Sequence, residues 1–312
     1  MPSLRKQSEI DVANQSRQEI FTDMIDTDTY KEWIGRSKAD TDLITRTPLN
    51  ALAATLNCDP PESVVPPLWH WVYFLSPVMM RDIDTDGHAT RQDFLPEVSL
   101  PRRMRAGGHF TFNKLLEIDE KAERVSTIDN VEAKNGASGQ LIFVTLRHEI
   151  SGDRGARITE IENIVYREAP KEGAKPVAHN PPDLVAQWTR TITPDPVLLF
   201  NYSAATLNPH RIHYDRPYAM QTEGYPGLVV HGPLVATLLL QLLAENNRDA
   251  LVREFSYRAV GPLFDTSDFR LCGRVDGSAA TLWAVDSSNS LALTAQVTCS
   301  GNSEDVRKIG IT

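Results

Sequence analysis

The order of secondary structure that the sequence predicts occurs twice along the chain. From residue 108, "GHFTFNKLLEI", "GQLIFVTLRHEI" and "RITEIENIVYRE" alternate apolar with polar residues, and glycine-rich turns separate the later segments. Such alternation predicts antiparallel strands with one solvated face. A second group of strands is predicted after residue 250, and each group follows a helical segment. The sequence therefore predicts an α+β protein of two similar units, each a sheet wrapped round one helix.

Composition sets the boundaries of these units. The chain has 312 residues, which is about the length of two domains. Residues 1–20 are polar and are predicted to form a tail, and "EAPKEGAKPVAHNPPD" has the composition of a linker. We assign residues 21–167 to the first unit, 168–186 to the linker and 187–312 to the second unit.

Three segments carry more local predictions. Residues 29–57 are predicted to be helical, and "VLLFNYSAAT", residues 197–206, to form a short strand before an apolar helix that begins near residue 232. Between the prolines of "DPPESVVPPLWHWVYFLSP" lie Trp69, Trp71 and Tyr73, which we expect in the core or between the units.

Charge and cysteine content exclude several classes of protein. The net charge of -9 argues against nucleic-acid or membrane-surface partners. The three cysteines are far apart, which suggests neither disulfides nor a zinc ribbon and favours a reducing compartment. The first 20 residues lack the apolar core of a signal peptide, and the longest apolar run is broken by His231, Gly232 and Pro233. We therefore expect a cytoplasmic protein.

A polar cluster precedes this apolar helix. In "LNPHRIHYD", His210 and His213 are flanked by Asn208 and Asp215, and the helix then opens at Gly232. Histidine transfers protons near neutral pH, and the free N–H groups of a helix start can stabilise an oxyanion. The H-x-x-H spacing lacks an intervening Glu and an evident third ligand, so no metal is predicted.

These residues resemble the MaoC-like dehydratase and (R)-specific enoyl-CoA hydratase family, which has the hot-dog fold. On this resemblance, His213 falls on the family's catalytic histidine and Gly232 on its oxyanion glycine. Asn208 falls where the family has its catalytic Asp, and His210 where it has Asn. Since an amide cannot take a proton, the base must be His213 alone, or another group must replace the missing Asp.

The altered motif, together with "PPLWHWVYFL" and "LPRRMRAGGHFTF", is similar to the type 2 3-hydroxyacyl-thioester dehydratase branch and its bacterial dicarboxylyl-CoA hydratases. The resemblance implies a double hot-dog with a degenerate first unit. It implies reversible addition of water to an enoyl-CoA, with 3-methylfumaryl-CoA (mesaconyl-CoA) giving citramalyl-CoA. Coenzyme A is then part of the substrate and no other cofactor is expected, while a homodimer is left open.

The residues are given roles on this basis. His213 moves the proton, the N–H of Gly232 stabilises the oxyanion, and Asn208 holds the water or the carbonyl. Asp215 either orients His213 or caps the next turn, and His210 and His231 are supporting residues. The other histidines have no motif around them and are expected to be structural or on the surface: His70, His88, His109, His148 and His179.

An acidic protein that binds coenzyme A phosphates needs local cations. The candidates are Arg102, Arg103, Arg105, Arg211 and Arg258. A dicarboxylic acyl group also needs a cation for its distal carboxylate, which arginine grips with two hydrogen bonds. We expect that residue among Arg102, Arg103 and Arg211.

Other functions are compatible with the same motif. A 3-hydroxyacyl-thioester dehydratase of fatty-acid type shares the chemistry and differs in the acyl pocket. A hot-dog thioesterase needs a carboxylate beside the thioester carbon, where this chain has Asn208. A non-catalytic acyl-CoA binder would also be consistent with the loss of the Asp.

Overall fold

The described part of the chain forms a ten-stranded antiparallel sheet. The computed structural model describes residues 27–90, 94–136, 139–168, 178–247 and 250–300. The strands are β1 (Ser37–Leu43), β2 (Arg102–Lys114), β3 (Lys121–Gly136), β4 (Gly139–Gly152), β5 (Arg157–Arg167), β6 (Trp188–Ile192), β7 (Leu251–Ala259), β8 (Phe269–Asp276), β9 (Ala279–Val285) and β10 (Leu291–Ser300). Their order across the sheet is β1-β3-β4-β5-β2-β7-β10-β9-β8-β6.

The two halves of this sheet have the same strand order. Strands β1–β5 form the N-terminal half, strands β6–β10 form the C-terminal half, and β2 pairs with β7 where the halves meet. This pairing sets Phe110 opposite Phe255, and both side chains are fully buried. Both rings belong to one hydrophobic core that the two halves share. Burial of each ring contributes about 1.5–3 kcal/mol to the stability of the fold.

Three helices accompany the sheet. They are α1 (Arg46–Leu56), α2 (Pro196–Ala205) and α3 (Gly232–Asn246). All residues from Leu234 to Leu243 are buried, and α3 packs against β8, β9 and β10, which explains why its sequence is apolar on every side. In the N-terminal half, the described part of residues 57–101 has no such helix and forms only the 3-10 turns Trp69–Val72 and Met80–Asp82.

The predicted strands after residues 108 and 250 are confirmed, but two local predictions are wrong. Residues 29–57 are not one helix, because β1 lies within them at the edge of the sheet. The seven residues of β1 are mostly polar, and their side chains alternate between exposed and half-buried without an alternation of apolar and polar residue types. Residues 197–206 form most of α2 and not a strand. The Asp195 side chain caps this helix through the N–H groups of Val197 and Leu198.

Not every sequence prediction falls on described residues. The tail, residues 1–20, and the part of the linker at residues 169–177 lie outside them. Strand β5 ends at Arg167 and β6 begins at Trp188, and the unit boundaries stay a prediction. Within the described ranges, no helix combines the length and the hydropathy needed to cross a membrane.

The junction between β2 and β7 gives a prediction about stability. A side chain at Gly107 would overlap the carbonyl oxygen of Tyr257 on the neighbouring strand, whereas one at Gly232 would meet no atom within 4 Å. We expect Gly107→Ala to lower the free energy of unfolding by about 1–3 kcal/mol. Urea denaturation checks this, with Gly232→Ala as the matched control. Equal stability of the two variants would contradict the tight approach of the strands.

Candidate active site

His213 lies on the 3-10 turn Arg211–His213, which follows α2, and its ring is buried. Its Nδ1 is 2.7 Å from the carbonyl oxygen of Val229, and the N–H of Val229 donates to Ile212 O at 3.0 Å. A carbonyl can only accept, so Nδ1 carries the hydrogen and Nε2 keeps its lone pair. The turn thus fixes the orientation of the ring. The contact with Val229 uses Nδ1 and leaves the basic nitrogen, Nε2, available.

Burial keeps this histidine neutral. Removal from water lowers the pKa of His213 to about 4, although the hydrogen bond to Val229 acts in the opposite direction. The imidazole is therefore uncharged at neutral pH and can accept a proton from a bound water.

The start of α3 lies next to this ring. His231, the residue before α3, stacks on His213 with ring centroids 3.7 Å apart, and its Nε2 lies 2.8 Å from the Ser203 hydroxyl. Gly232 opens the helix, and the space beside its α-carbon is empty to 4 Å. N–H groups in the first helical turn lack intrahelical partners and lie at the positive end of the helix dipole. An anionic oxygen has both room and donors here.

Two residues of the motif hold the loop. The Asn208 Oδ1 accepts the N–H of His210 at 3.2 Å, so its carbonyl oxygen is engaged within its own turn. Asp215 caps the next turn, because its Oδ1 accepts the N–H of Tyr218 and its Oδ2 binds the guanidinium of Arg211. Of the two roles left open for Asp215, the structure shows the cap.

Three of the predicted arginines already bind carboxylates of the chain. The pairs are Arg102–Glu223 at 2.8 Å, Arg105–Glu162 at 2.6 Å and Arg211–Asp215 at 2.7 Å. Arg105 also lies 5.0 Å from the Trp71 ring, within a buried network of Glu160, Glu162, His70 and His148. A guanidinium that a carboxylate neutralises is a poor site for a substrate anion, so these three positions do not support the predicted substrate contact.

Arg103 and Arg258 differ from these three. Neither has an ion pair within the part of the chain that the structure describes, and Arg258 is exposed on β7. Arg103 is half-buried on β2, opposite Tyr166 on β5. Its charge contributes to lowering the pKa values of His88 and His210, after burial as the main cause. Of the predicted arginines, Arg103 therefore best combines proximity to the motif with a charge that no carboxylate neutralises.

The structure adds two residues that the sequence did not indicate. Asp86 and His88 belong to a loop of the N-terminal half, and the ring of His88 lies 4.5 Å from that of His210. His210 in turn lies edge-on to His213 at 5.6 Å. We expected His88 to be structural or on the surface; no spacing within "DTDGH" points to the motif, and only the fold brings them together.

Two groups of side chains are close enough to be tested as metal ligands. Among the described residues these are Asp86, His88 and His210, and the buried set of His148, Glu160 and Glu162. In each group, hydrogen bonds within the chain already join donor and acceptor atoms. The expectation that no metal is needed stays a prediction.

The chain is similar to known proteins over most of its length. A family model described as hydroxyacyl-thioester dehydratase type 2 matches residues 68–265. The chain is 44% identical over 278 residues to a mesaconyl-C(4)-CoA hydratase of Chloroflexus aurantiacus, covering 87% of this chain and 98% of that protein. A mitochondrial hydroxyacyl-thioester dehydratase type 2 of Schizosaccharomyces pombe is 24% identical over 264 residues, covering 74% of this chain and 88% of that one.

The fold is also found in solved structures. A MaoC-like dehydratase of Phytophthora capsici superposes with a TM-score of 0.66 at 11% identity, covering 89% of this chain and 99% of that one. The predicted double hot-dog fold is thereby confirmed, but the expectation of a central helix in each unit is wrong for the described part of the N-terminal half, which has no counterpart of α3. With a family model that matches more than half of the chain and a relative of high identity over most of it, the protein belongs to the hydroxyacyl-thioester dehydratase type 2 family.

Proposed function

We propose that the protein is a CoA-thioester hydratase that adds water reversibly to 3-methylfumaryl-CoA (mesaconyl-C4-CoA) to give citramalyl-CoA. The observation that carries this proposal is the placement of His213, buried and neutral, beside the open start of α3 at Gly232. The name of the Chloroflexus relative supports the acyl group. The reaction uses no cofactor beyond the coenzyme A of its substrate, and the homodimer stays a prediction.

In the proposed mechanism, His213 is the only base, and it carries one proton from the water to the α-carbon. The Nε2 of His213 takes a proton from water as its oxygen adds to the β-carbon. The electrons of the double bond move onto the thioester oxygen, where the N–H of Gly232 and the positive end of α3 stabilise the charge. The imidazolium then returns the proton to the α-carbon, so one molecule of water is added and the enzyme is unchanged.

The chemistry of the substrate explains why Arg103 is the proposed carboxylate ligand. In 3-methylfumaryl-CoA the free carboxylate is attached to the β-carbon, which is the carbon that water attacks. Its cation must therefore lie close to the residues that handle the water. Arg103 is the best candidate, because its charge acts on His88 and His210, whose rings form a row with that of His213. No carboxylate among the described residues neutralises it.

A dehydratase of longer 3-hydroxyacyl thioesters is the second candidate. The family and the Schizosaccharomyces relative support it, and it would use His213 and Gly232 in the same way. It differs in having no need for a cation at the β-carbon. Activity on 3-methylfumaryl-CoA compared with 3-methylcrotonyl-CoA, in which a methyl group replaces the carboxylate, separates the two candidates.

The first prediction concerns the base. We expect His213→Ala to lower kcat by about 10²–10⁴-fold, because the water then has no proton acceptor beside the helix start. Loss of absorbance of the conjugated thioester measures hydration directly. His109→Ala, at an exposed position on β2, is the control and should retain full activity. Turnover by a folded His213→Ala variant at the wild-type rate would rule out this assignment.

The second prediction concerns the oxyanion site. A methyl group on Gly232 fits the folded chain but occupies the space beside the helix start. We expect Gly232→Ala to unfold at the wild-type urea concentration and to lose about 10²-fold in kcat. Thermal and urea denaturation, run beside the absorbance assay, separate the two effects. If this variant kept the wild-type kcat, the oxyanion would have to be stabilised by a donor other than the N–H of Gly232.

The third prediction concerns the acyl group. We expect Arg103→Gln to lower kcat/KM for 3-methylfumaryl-CoA by about 10–100-fold, since a charge-assisted pair is lost. Its kcat/KM for 3-methylcrotonyl-CoA should change by less than about threefold. Arg157→Gln, at an exposed position on β5, is the matched control. An equal loss on both substrates would argue against a carboxylate contact.

A further inference from the structure

The backbone of the loop of residues 84–88 contacts the 3-10 turn Arg211–His213, here called the catalytic turn, and fixes the loop against it. The N–H of Arg211 donates to Asp86 O at 2.9 Å, and Arg211 Nη1 donates to Thr85 O at 2.7 Å. Gly87 has a φ of +97°, and a side chain there would overlap the carbonyl oxygen of Pro209. The side chains of Asp86 and His88 are therefore not needed to dock the loop.

These two side chains form an oriented pair. The Nδ1 of His88 is 2.7 Å from Asp86 Oδ2, and Asp86 Oδ1 accepts the N–H of His88 at 2.8 Å. Burial raises the pKa of Asp86, but the hydrogen bonds from the ring and the backbone N–H of His88 act in the opposite direction, and the pKa is lowered. An ionised carboxylate holds the hydrogen on Nδ1, so Nε2 keeps a lone pair. No partner for Nε2 exists among the described residues, and the His88 side chain is 18% exposed.

His88, from the N-terminal half, and His213, from the C-terminal half, both lie beside the ring of His210. The ring of His210 lies 4.5 Å from His88 and 5.6 Å from His213. Each outer ring has Nδ1 committed to an oxygen of the chain, Asp86 for one and Val229 for the other. Within the described ranges, the site therefore contains two oriented imidazoles whose Nε2 atoms have no hydrogen-bond partner, although the motif supplies only one of them.

We propose that His88 holds the attacking water together with His213, and that Asp86 is the positioning residue that orients His88. This inference rests on the hydratase function proposed above. Water has two hydrogens: His213 takes one as a proton, and His88 accepts a hydrogen bond from the other, which stays on the product hydroxyl. The O–C bond forms at the β-carbon, and the proton on His213 passes to the α-carbon. His88 thus supplies a water acceptor, whereas the Oδ1 of Asn208 already accepts the N–H of His210.

Steady-state kinetics of three variants test this assignment. We expect His88→Ala to lower kcat by about 10²-fold with KM changed by less than about threefold, since the thioester contacts remain. Added imidazole should restore part of that activity, because the His88 side chain is 18% exposed and its removal leaves a space of the same shape. Asp86→Asn should lose about tenfold in kcat, as it keeps the size of the side chain but not its charge. His109→Ala, with and without imidazole, is the matched control.

Two results for His88→Ala would overturn the proposal. One is a His88→Ala variant with kcat within about twofold of wild type. The other is a folded His88→Ala variant that loses activity and that imidazole does not rescue, which would make His88 only a structural part of its loop. If His88→Ala does not fold, His88→Gln replaces it: the amide oxygen can still accept from water, so kcat should fall about tenfold, and an unchanged kcat would contradict the role.

Further controls separate this inference from the proposed function and from a metal. Wild-type protein inactive on both 3-methylfumaryl-CoA and crotonyl-CoA would refute the hydratase function itself. Active wild type and inactive His213→Ala, with His88→Ala fully active, would refute only the role of His88. Activity lost on dialysis against EDTA and restored by Zn²⁺, with bound zinc absent from His88→Ala, would show that Asp86, His88 and His210 bind a metal, and would also overturn the proposal.

Discussion

The pairing of β2 with β7 is the constraint on which the rest of the structure depends. It joins two five-stranded halves into one sheet and places Phe110 and Phe255 in a common core. It also fixes where the long segment before β2 must pass. That segment carries the loop of residues 84–88, and β2 itself carries Arg103, so the junction determines which side chains of the N-terminal half reach the catalytic turn.

Desolvation gives the site its chemical character. His213 and His231 are buried and stacked, and burial lowers the pKa of each. The same cause lowers the pKa values of His88 and His210. A row of neutral imidazoles offers lone pairs to water without adding charge beside the start of α3. The positive end of that helix therefore remains available to the negative oxygen of the reacting thioester.

The sequence was informative where a pattern is local. Alternating residues predicted β2–β5 and β7–β10, and the motif with its glycine-opened helix pointed to His213 and Gly232 as neighbours. Strand β1 was missed because an exposed edge strand needs few apolar residues. Helix α2 was misread because it opens with a short apolar run, Val197 to Phe200, whose periodicity fits a strand as well as a helix. Its start signal, Asp195 followed by Pro196, was present in the sequence.

The proximity of Asp86 and His88 to the motif was beyond such reasoning. Their contact with the turn depends on the β2–β7 register and on Gly87, which alone allows the loop to approach Pro209 so closely. Neither feature has a sequence signal at the motif itself. The same limit applied to the arginines, since composition cannot tell a guanidinium already paired with Glu223 or Asp215 from one that is open.

The replacement of the family's Asp by Asn208 is physically consistent with the proposed substrate. A carboxylate on the β-carbon of the substrate would face any carboxylate that held the attacking water. At an effective dielectric constant of about 20, two like charges about 4 Å apart repel by about 4 kcal/mol. An amide at position 208 and a neutral His88 remove that repulsion, while the charge of Asp86 lies behind the His88 ring, bound to Nδ1. The departure from the motif thus favours a diacid, and a monoacid would gain nothing from it.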